Sequence, residues 1–377
     1  MSSVEAQPRV LLITGRADIG GGPEHVLQLV EGLAGRCQVF VACPQEAPYW
    51  DRYTAQVGSE RMLAIPRRRL SLGALWALRR FVGRQHIELI HSHGSAASAY
   101  SRPVGALSGV PIVHTHHGLF FVSRPGGLKR RLRLLIEQLL ERVTSLSIFV
   151  SDGDQALARS AGFGFGASRM IRNGVAVSGE IVAKDRDGAP LKIVTVNNYS
   201  EAKNPDLLLA IIAELATRDE AAAEVHVYGD GDGRAAFASA LRAAGHDRFV
   251  HVHGAVPGLR EQLPAHDIFL SCSRWEGLPY AVLEAMAASL PTVLSRVPGH
   301  DEILAHGLDD CGYALGDAAE AVDRLLAFRT AASRQSAGAR AQAMVRQHFG
   351  ADEMLDRTWA AYCDVLEHPI AEWQPNV

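Results

Sequence analysis

The chain has 377 residues, of which 47% are hydrophobic and 21% charged, with five cysteines and a formal net charge of −3. That length suits two domains of about 150–200 residues each, and the composition excludes disordered, collagen-like and low-complexity chains. No apolar run approaches the roughly 20 residues of a spanning helix, the opening MSSVEAQPRV has no signal-peptide pattern, and the scattered cysteines suit neither a disulfide framework nor a metal site, so a cytoplasmic protein is expected.

Charge is unevenly divided. Residues 1–184 hold 22 basic and 13 acidic side chains, a balance of +9, whereas 185–377 carry −12. A basic half attached to an acidic one points to an anionic partner for the first half.

Along the chain, short aliphatic runs alternate with amphipathic stretches. Arg9–Thr14 reads as a buried strand, followed by a glycine cluster and a helical pattern over Pro23–Leu33. Gln38–Ala42, Leu89–His93, Ile112–Thr115 and Leu146–Val150 are further strands. A second series begins at Lys192–Val196 and continues through Val225–Tyr228, Phe249–Val252, Ile268–Ser271 and Thr292–Ser295. Strands alternating with helices imply parallel sheets covered on both faces, and the fresh start implies two doubly wound α/β domains. We place the domains at 1–178 and 188–350, joined by the polar, aperiodic Val175–Pro190, with 351–377 as a closing helix able to pack back on either domain. Ligands of open α/β sheets bind beyond the carboxyl ends of the strands, so the expected site is the cleft that two such domains face.

The strongest chemical signal is Ser273–Ala287, SRWEGLPYAVLEAMA. A strand runs into a Glu-Gly-Leu-Pro turn and then directly into a helix, whose free backbone N–H groups near Gly277, Leu278 and Tyr280 (Pro279 has none) favour a phosphate. Glu276 lies in the turn and Glu284 two turns into a helix that is apolar almost all round, so Glu284 is expected to be buried and to need partners.

This segment resembles the Glu-x7-Glu motif of the retaining glycosyltransferases of family 4, two-domain enzymes of the GT-B fold. The resemblance extends along nearly the whole chain. Gly21-Gly22-Pro23-Glu24 looks like the family's first glycine loop, Thr115–Gly118 like its T-x-H-G, and Asn173-Gly174-Val175 like its N-G-[IV]. Lys203-Asn204, Gly229-Asp230-Gly231 and Glu284–Ala287 stand where the family has K-G or K-N, G-x-G and E-A-M-A. The resemblance implies that Glu276 binds hydroxyls of a donor sugar, Glu284 a ribose, and Lys203 the diphosphate. It places Gly21 and Gly22 by phosphate or acceptor, His117 by the reaction centre, and the backbone at Val256 by the base. It further implies a nucleotide-diphosphate sugar, UDP first, as donor substrate, with no separate cofactor and no metal. One position departs from the pattern: Asn198 stands where the family carries an arginine paired to the diphosphate, which leaves Arg274 and Arg296 as replacement cations.

Other signals are weaker. His91, His93, His114, His116 and His117 invite a zinc site, but the nearby carboxylate Glu88 has the opposite strand parity, and a cleft lining fits better. Asp152–Asp154, Asp185–Asp187 and Asp230–Asp232 read as turns and linker. Gly229–Arg234 lacks the third glycine of a dinucleotide loop and reads as a tight turn. Basic runs occur at Arg67–Arg69, Arg79-Arg80 and Lys129–Arg133, and the last two lie in stretches with apolar partners, which suits an anionic membrane surface. Nucleic acid is excluded because no aromatics interleave with the cations. The sequence therefore suggests a retaining hexosyltransferase that is cytoplasmic or peripheral on the inner face of the plasma membrane. Its acceptor would be a polyprenyl-linked saccharide. The alternatives are transfer to a soluble small molecule, an isomerase like the UDP-sugar 2-epimerases, and a binder without activity.

Overall fold

The computed structural model describes residues 7–67, 69–123, 126–177, 188–219 and 223–367. The chain divides into two compact units, Met1–Asn173 with Ala351–Val377, and Gly174–Gly350. The break falls at Asn173, just ahead of the expected linker, most of which lies outside the described residues.

The first unit is built on seven strands: β1 (Arg9–Thr14), β2 (Gln38–Cys43), β3 (Met62–Ala64), β4 (Leu89–His93), β5 (Ile112–His116), β6 (Leu146–Phe149) and β7 (Ser168–Met170). All neighbours pair in parallel in the order β3-β2-β1-β4-β5-β6-β7. The central strand β1 shows why its run is continuously apolar. Val10 and Leu12 pack with Val26, Leu29, Val30 and Tyr53 on one face, while Leu11 and Ile13 pack with Leu78, Phe81 and Val104 on the other. The closing helix Ala351–Glu367 belongs to this unit: Met354, Ala361, Tyr362 and Val365 are buried in the first of these cores. A Cβ on Gly32 would lie 2.3 Å from a terminal methyl of Leu355, so any larger residue there makes that side chain shift.

The second unit has β8 (Leu191–Val196), β9 (Ala223–Tyr228), β10 (Val250–Gly254), β11 (Ile268–Ser271), β12 (Thr292–Ser295) and β13 (Gly312–Tyr313). They form a parallel sheet in the order β10-β9-β8-β11-β12-β13. Strands β3, β7 and β13 escaped the sequence reading because each is two or three residues long at or near a sheet edge, too short to show a period. Both units are thus doubly wound parallel α/β domains. Strand order reverses between β1 and β4 in the first and between β8 and β11 in the second. The carboxyl ends of those strand pairs are where such a fold exposes a ligand crevice.

Candidate functional site

In the second unit the loops leaving β8 and β11 deliver the two residues singled out from sequence to one point. Lys203 Nζ donates to Glu276 Oε1 at 2.6 Å, and Ser273 Oγ donates to the same oxygen at 2.7 Å. The Glu276 side chain is only 10% exposed and that of Lys203 21%. Burial pushes the Glu276 carboxyl up, but the Lys203 charge, His300 and the two hydrogen bonds outweigh it, and the net pKa lies below the usual value. Glu276 is therefore an anion at neutral pH. Cys272 beside it is pushed up to about 12 by burial, so it stays a thiol and offers no nucleophile.

The backbone around this pair is braced. Asn197 is buried; its Oδ1 accepts from Tyr199 N–H at 2.7 Å, and its amide donates to the Lys203 carbonyl at 3.0 Å. The Arg274 N–H donates to the Ala202 carbonyl at 2.7 Å, tying the β11 loop to the β8 loop. The loop after β9 packs against the same segment: a Cβ on Gly229 or Gly231 would lie 2.3 or 2.1 Å from the carbonyl oxygens of Asn197 and Asn198. Gly229 also has φ of 123°. The glycine run read as a tight turn is therefore the surface on which the lysine loop rests. Gly299 does the same for the glutamate turn, its Cβ position lying 2.2 Å from the Gly277 carbonyl.

Beyond the turn, Gly277, Leu278 and Pro279 are buried, and the helix Tyr280–Ala287 starts immediately. Glu284 is half-buried rather than buried, correcting the sequence expectation: the helix turns Ala281 and Glu284, three residues apart, toward its open side. Val256 is half-buried in the loop after β10. Asn198 is exposed, and its Oδ1 accepts from Ser200 N–H and Oγ at 3.2 and 2.6 Å. Of the replacement cations, Arg296 is held by Asp309 at 2.6 Å and Asp301 at 3.6 Å, while Arg274 is exposed. Asn197, Ser273 and His300 were missed in sequence. Asn197 had a usable signal, an asparagine at a strand end, where its side chain can cap the next turn. His300 had none; it is fully buried, its Nδ1 lies 2.7 Å from the Ser295 carbonyl, and its Nε2 makes no hydrogen bond.

The first unit places histidines at its own reversal point. His93 ends β4, His117 follows β5, and His25 comes from the helix Gly21–Gly32, a contributor the strand-based reading missed. His93 Nδ1 lies 3.3 Å from His117 Nε2, and a ligand nitrogen from each of the three falls within 4.8 Å of the others. His91 is held by Tyr362 Oη at 2.5 Å and Thr115 Oγ1 at 2.7 Å. Burial lowers the pKa of His117 to about 4 and of His91 to about 3. It also pushes His25, His93, His114 and His116 well down, with help from neighbouring cations and imidazoles. These rings are neutral hydrogen-bonding groups at pH 7. Gly21 and Gly22 open the helix Gly21–Gly32, and a Cβ at Gly22 would meet nothing within 4 Å. Packing therefore does not require glycine at 22.

The acidic triplets serve the fold. Asp152 and Asp154 lie in the first turn of the helix Asp152–Ser160 rather than in a loop, and buried Asp154 accepts from Leu119 N–H at 3.1 Å. Asp230 accepts from Gly231 N–H within its own loop, and Asp185–Asp187 lie outside the described residues.

Comparison with known proteins agrees with this geometry. Residues 19–178 match "Glycosyltransferase Family 4", and residues 190–329 match "Glycosyl transferases group 1". The O-antigen biosynthesis glycosyltransferase WbnH of Escherichia coli is 23% identical over 310 residues, covering 80% of this chain and 88% of that protein. The UDP-Gal:alpha-D-GlcNAc-diphosphoundecaprenol alpha-1,3-galactosyltransferase of the same species is 24% identical over 266 residues, covering 65% and 67%. Among solved structures, HepE of Anabaena in complex with UDP and glucose superposes with a TM-score of 0.80 at 17% identity, covering 95% of this chain and all of that one. Two doubly wound sheets, a lysine and a glutamate meeting at the second reversal point, and family matches on both units together make this chain a glycosyltransferase of family 4 with the GT-B fold.

Proposed function

We propose that this enzyme is a retaining, metal-independent transferase that moves a hexose or N-acetylhexosamine from a UDP-sugar to a polyprenyl-linked saccharide in cell-surface polysaccharide synthesis. The observation that carries the donor assignment is the Lys203–Glu276 pair at the β8/β11 reversal point, beside the N-terminus of the helix Tyr280–Ala287. An incoming diphosphate competes for the Lys203 ammonium and frees the Glu276 carboxylate to accept hydrogen bonds from sugar hydroxyls. The bond from sugar C1 to the β-phosphate oxygen breaks, and the acceptor oxygen bonds C1 on the same face. The acceptor proton passes to the departing phosphate. Lys203 and the helix N-terminus stabilise the charge that develops there. Glu284 holds the ribose, and neutral His117 hydrogen-bonds at the reaction centre. No step calls on a metal; among the described residues of the acidic triplets, Asp154 and Asp230 accept from backbone N–H groups. The name of the galactosyltransferase relative supports the UDP-sugar donor and the lipid-linked acceptor, and that of WbnH supports a place in cell-surface polysaccharide synthesis.

The membrane-facing part of the proposal rests on the helix Leu128–Glu141. Its one fully buried residue is Glu137, paired with buried Arg102 at 2.7 Å, whereas Leu128, Leu132, Leu135, Ile136 and Leu139 are all at least 45% exposed. Those five form a single stripe on the helix surface. A helix that buries its acid and exposes its leucines suits an interfacial position on lipid. Of the four cations read from sequence, Arg130 and Arg133 are engaged, with the Val122 carbonyl and with Ser95 and the Phe121 ring respectively, which leaves Lys129 and Arg131 on the exposed surface. Insertion of the leucines thus outweighs charge in this reading. No helix among the described residues is long and apolar enough to cross a membrane.

The test is transfer in EDTA from a panel of UDP-sugars to undecaprenyl-diphosphate-linked monosaccharides in liposomes. Product of unchanged anomeric configuration is expected; an inverted product or a strict need for Mg²⁺ or Mn²⁺ overturns the reading.

A further inference from the structure

At the edge of the second sheet, away from the Lys203–Glu276 pair, strands β9 and β10 carry a second histidine cluster. His226 and His251 are direct register partners on neighbouring parallel strands, and Glu224 lies two residues before His226, on the same face. The ring centroids of His226 and His251 are 5.0 Å apart, and His226 Nε2 lies 3.7 Å from Glu224 Oε2. One ligand atom from each of the three falls within 4.8 Å of the others. The opposite nitrogen, His226 Nδ1, is 3.0 Å from His253 Nε2, whose ring stacks parallel on that of His226. When Nδ1 donates to His253, Nε2 is left as a lone pair facing a carboxylate, and this buried atom makes no hydrogen bond. In that tautomer two electron-pair donors face one another across 3.7 Å.

We propose that Glu224, His226 and His251 form a binding site for a first-row transition cation of the zinc class, clamping the edge strand β10 to β9. Zn–N bonds of roughly 2.0–2.1 Å in tetrahedral geometry set ligand atoms about 3.4 Å apart, close to the 3.7 Å between His226 and Glu224, and His251 has to draw in from within 4.8 Å. Two imidazoles and a carboxylate are a donor set that such ions accept, with a fourth position for water. His253 holds the His226 ring and its tautomer from behind, as a hydrogen-bonding partner of a metal-bound imidazole does. The histidine trio of the first unit is the weaker candidate, because His25 and His93 are buried and none of the three ligands is a carboxylate, so no counter-charge is supplied to a dication.

Zinc titrated calorimetrically into the full-length, chelator-stripped protein tests this. One equivalent should bind and raise the midpoint of thermal unfolding. The His226→Asn/His251→Asn double variant should lose that binding, and His253→Ala should weaken it about 10–100-fold while keeping the stoichiometry. Hydrogen exchange of the β10 amides should slow on adding zinc. The site is overturned if zinc does not bind, if the double variant binds as wild type does, or if His93→Asn abolishes binding while the double variant keeps it.

Discussion

The two units share one plan, a parallel sheet whose strand order reverses in the middle, yet they place opposite chemistry at the reversal. The second unit sets a charged pair there, Lys203 with Glu276, on loops braced by Asn197, Gly229, Gly231 and Gly299. The first sets neutral imidazoles there, His25, His93 and His117, stripped of charge by burial. A diphosphate needs fixed cation and dipole, which the second unit supplies; a hydroxyl acceptor needs hydrogen-bonding groups that carry no charge into a dry site, which suits the first. Their net charges run the other way: the first unit, with its apolar helix stripe, carries +4 and the second −7.

Breaking the first unit should cost most. Glu137→Ala leaves Arg102 buried without its partner, and a loss of about 3–5 kcal/mol of stability is expected by denaturant titration. Simultaneous replacement of both residues by apolar ones should recover much of it. A Glu137→Ala variant as stable as wild type would mean that something else anchors the helix Leu128–Glu141.

Breaking the second unit's pair should act on chemistry instead. Glu276→Ala should lower turnover at least about a hundredfold, roughly 2.7 kcal/mol, with the fold intact by circular dichroism. Asn197→Ala, which frees the Lys203 carbonyl, should weaken nucleotide binding without abolishing it.

Acid sharpens the contrast. Histidines with depressed pKa values contribute stability that is present above their unfolded value of about 6.5 and lost as pH falls toward the folded values, about 4 for His117 and about 3 for His91. Glu276, also depressed, gives way only below the ordinary carboxyl range. Between pH 6.5 and 4.5, amides of β4 and β5, lined by six depressed histidines, should therefore lose more exchange protection than those of β8 and β11, beside which His226 and His300 are depressed. Equal loss in both sheets would remove the distinction.

Two smaller effects test the surfaces. Serine at Leu132, Leu135 and Leu139 should cut sedimentation with anionic liposomes about tenfold or more while stability changes little, because these side chains are half-exposed already. Wild-type protein that ignores such liposomes at low salt would favour a soluble acceptor. Gly22→Ala, added where nothing lies within 4 Å, should leave stability unchanged, so any drop in turnover reports on a bound substrate.

Much of this was legible in the sequence, and the limits are physical. Long strands such as β1 and β8 announce themselves because both faces are largely buried, so β1 is almost continuously apolar and β8 is β-branched and aliphatic around Lys192 and Thr195. Glu276 stood out through its turn and helix, and Lys203 only through the resemblance to the family's K-N position. Their contact spans 73 residues and depends on strand order, which no local pattern encodes. His25 was invisible among the strand histidines because a helix delivers it. The stripe on Leu128–Glu141 was readable as a period, but a period does not say which face turns inward; here the inward residue is Glu137.

The central claim, that the β8/β11 reversal point binds a nucleotide diphosphate through Lys203 without metal, is tested most directly by calorimetric titration of UDP in EDTA into wild type and Lys203→Ala. The account predicts saturable binding to wild type and at least tenfold weaker binding to the variant. Equal affinities, or binding only after a divalent cation is restored, would contradict it.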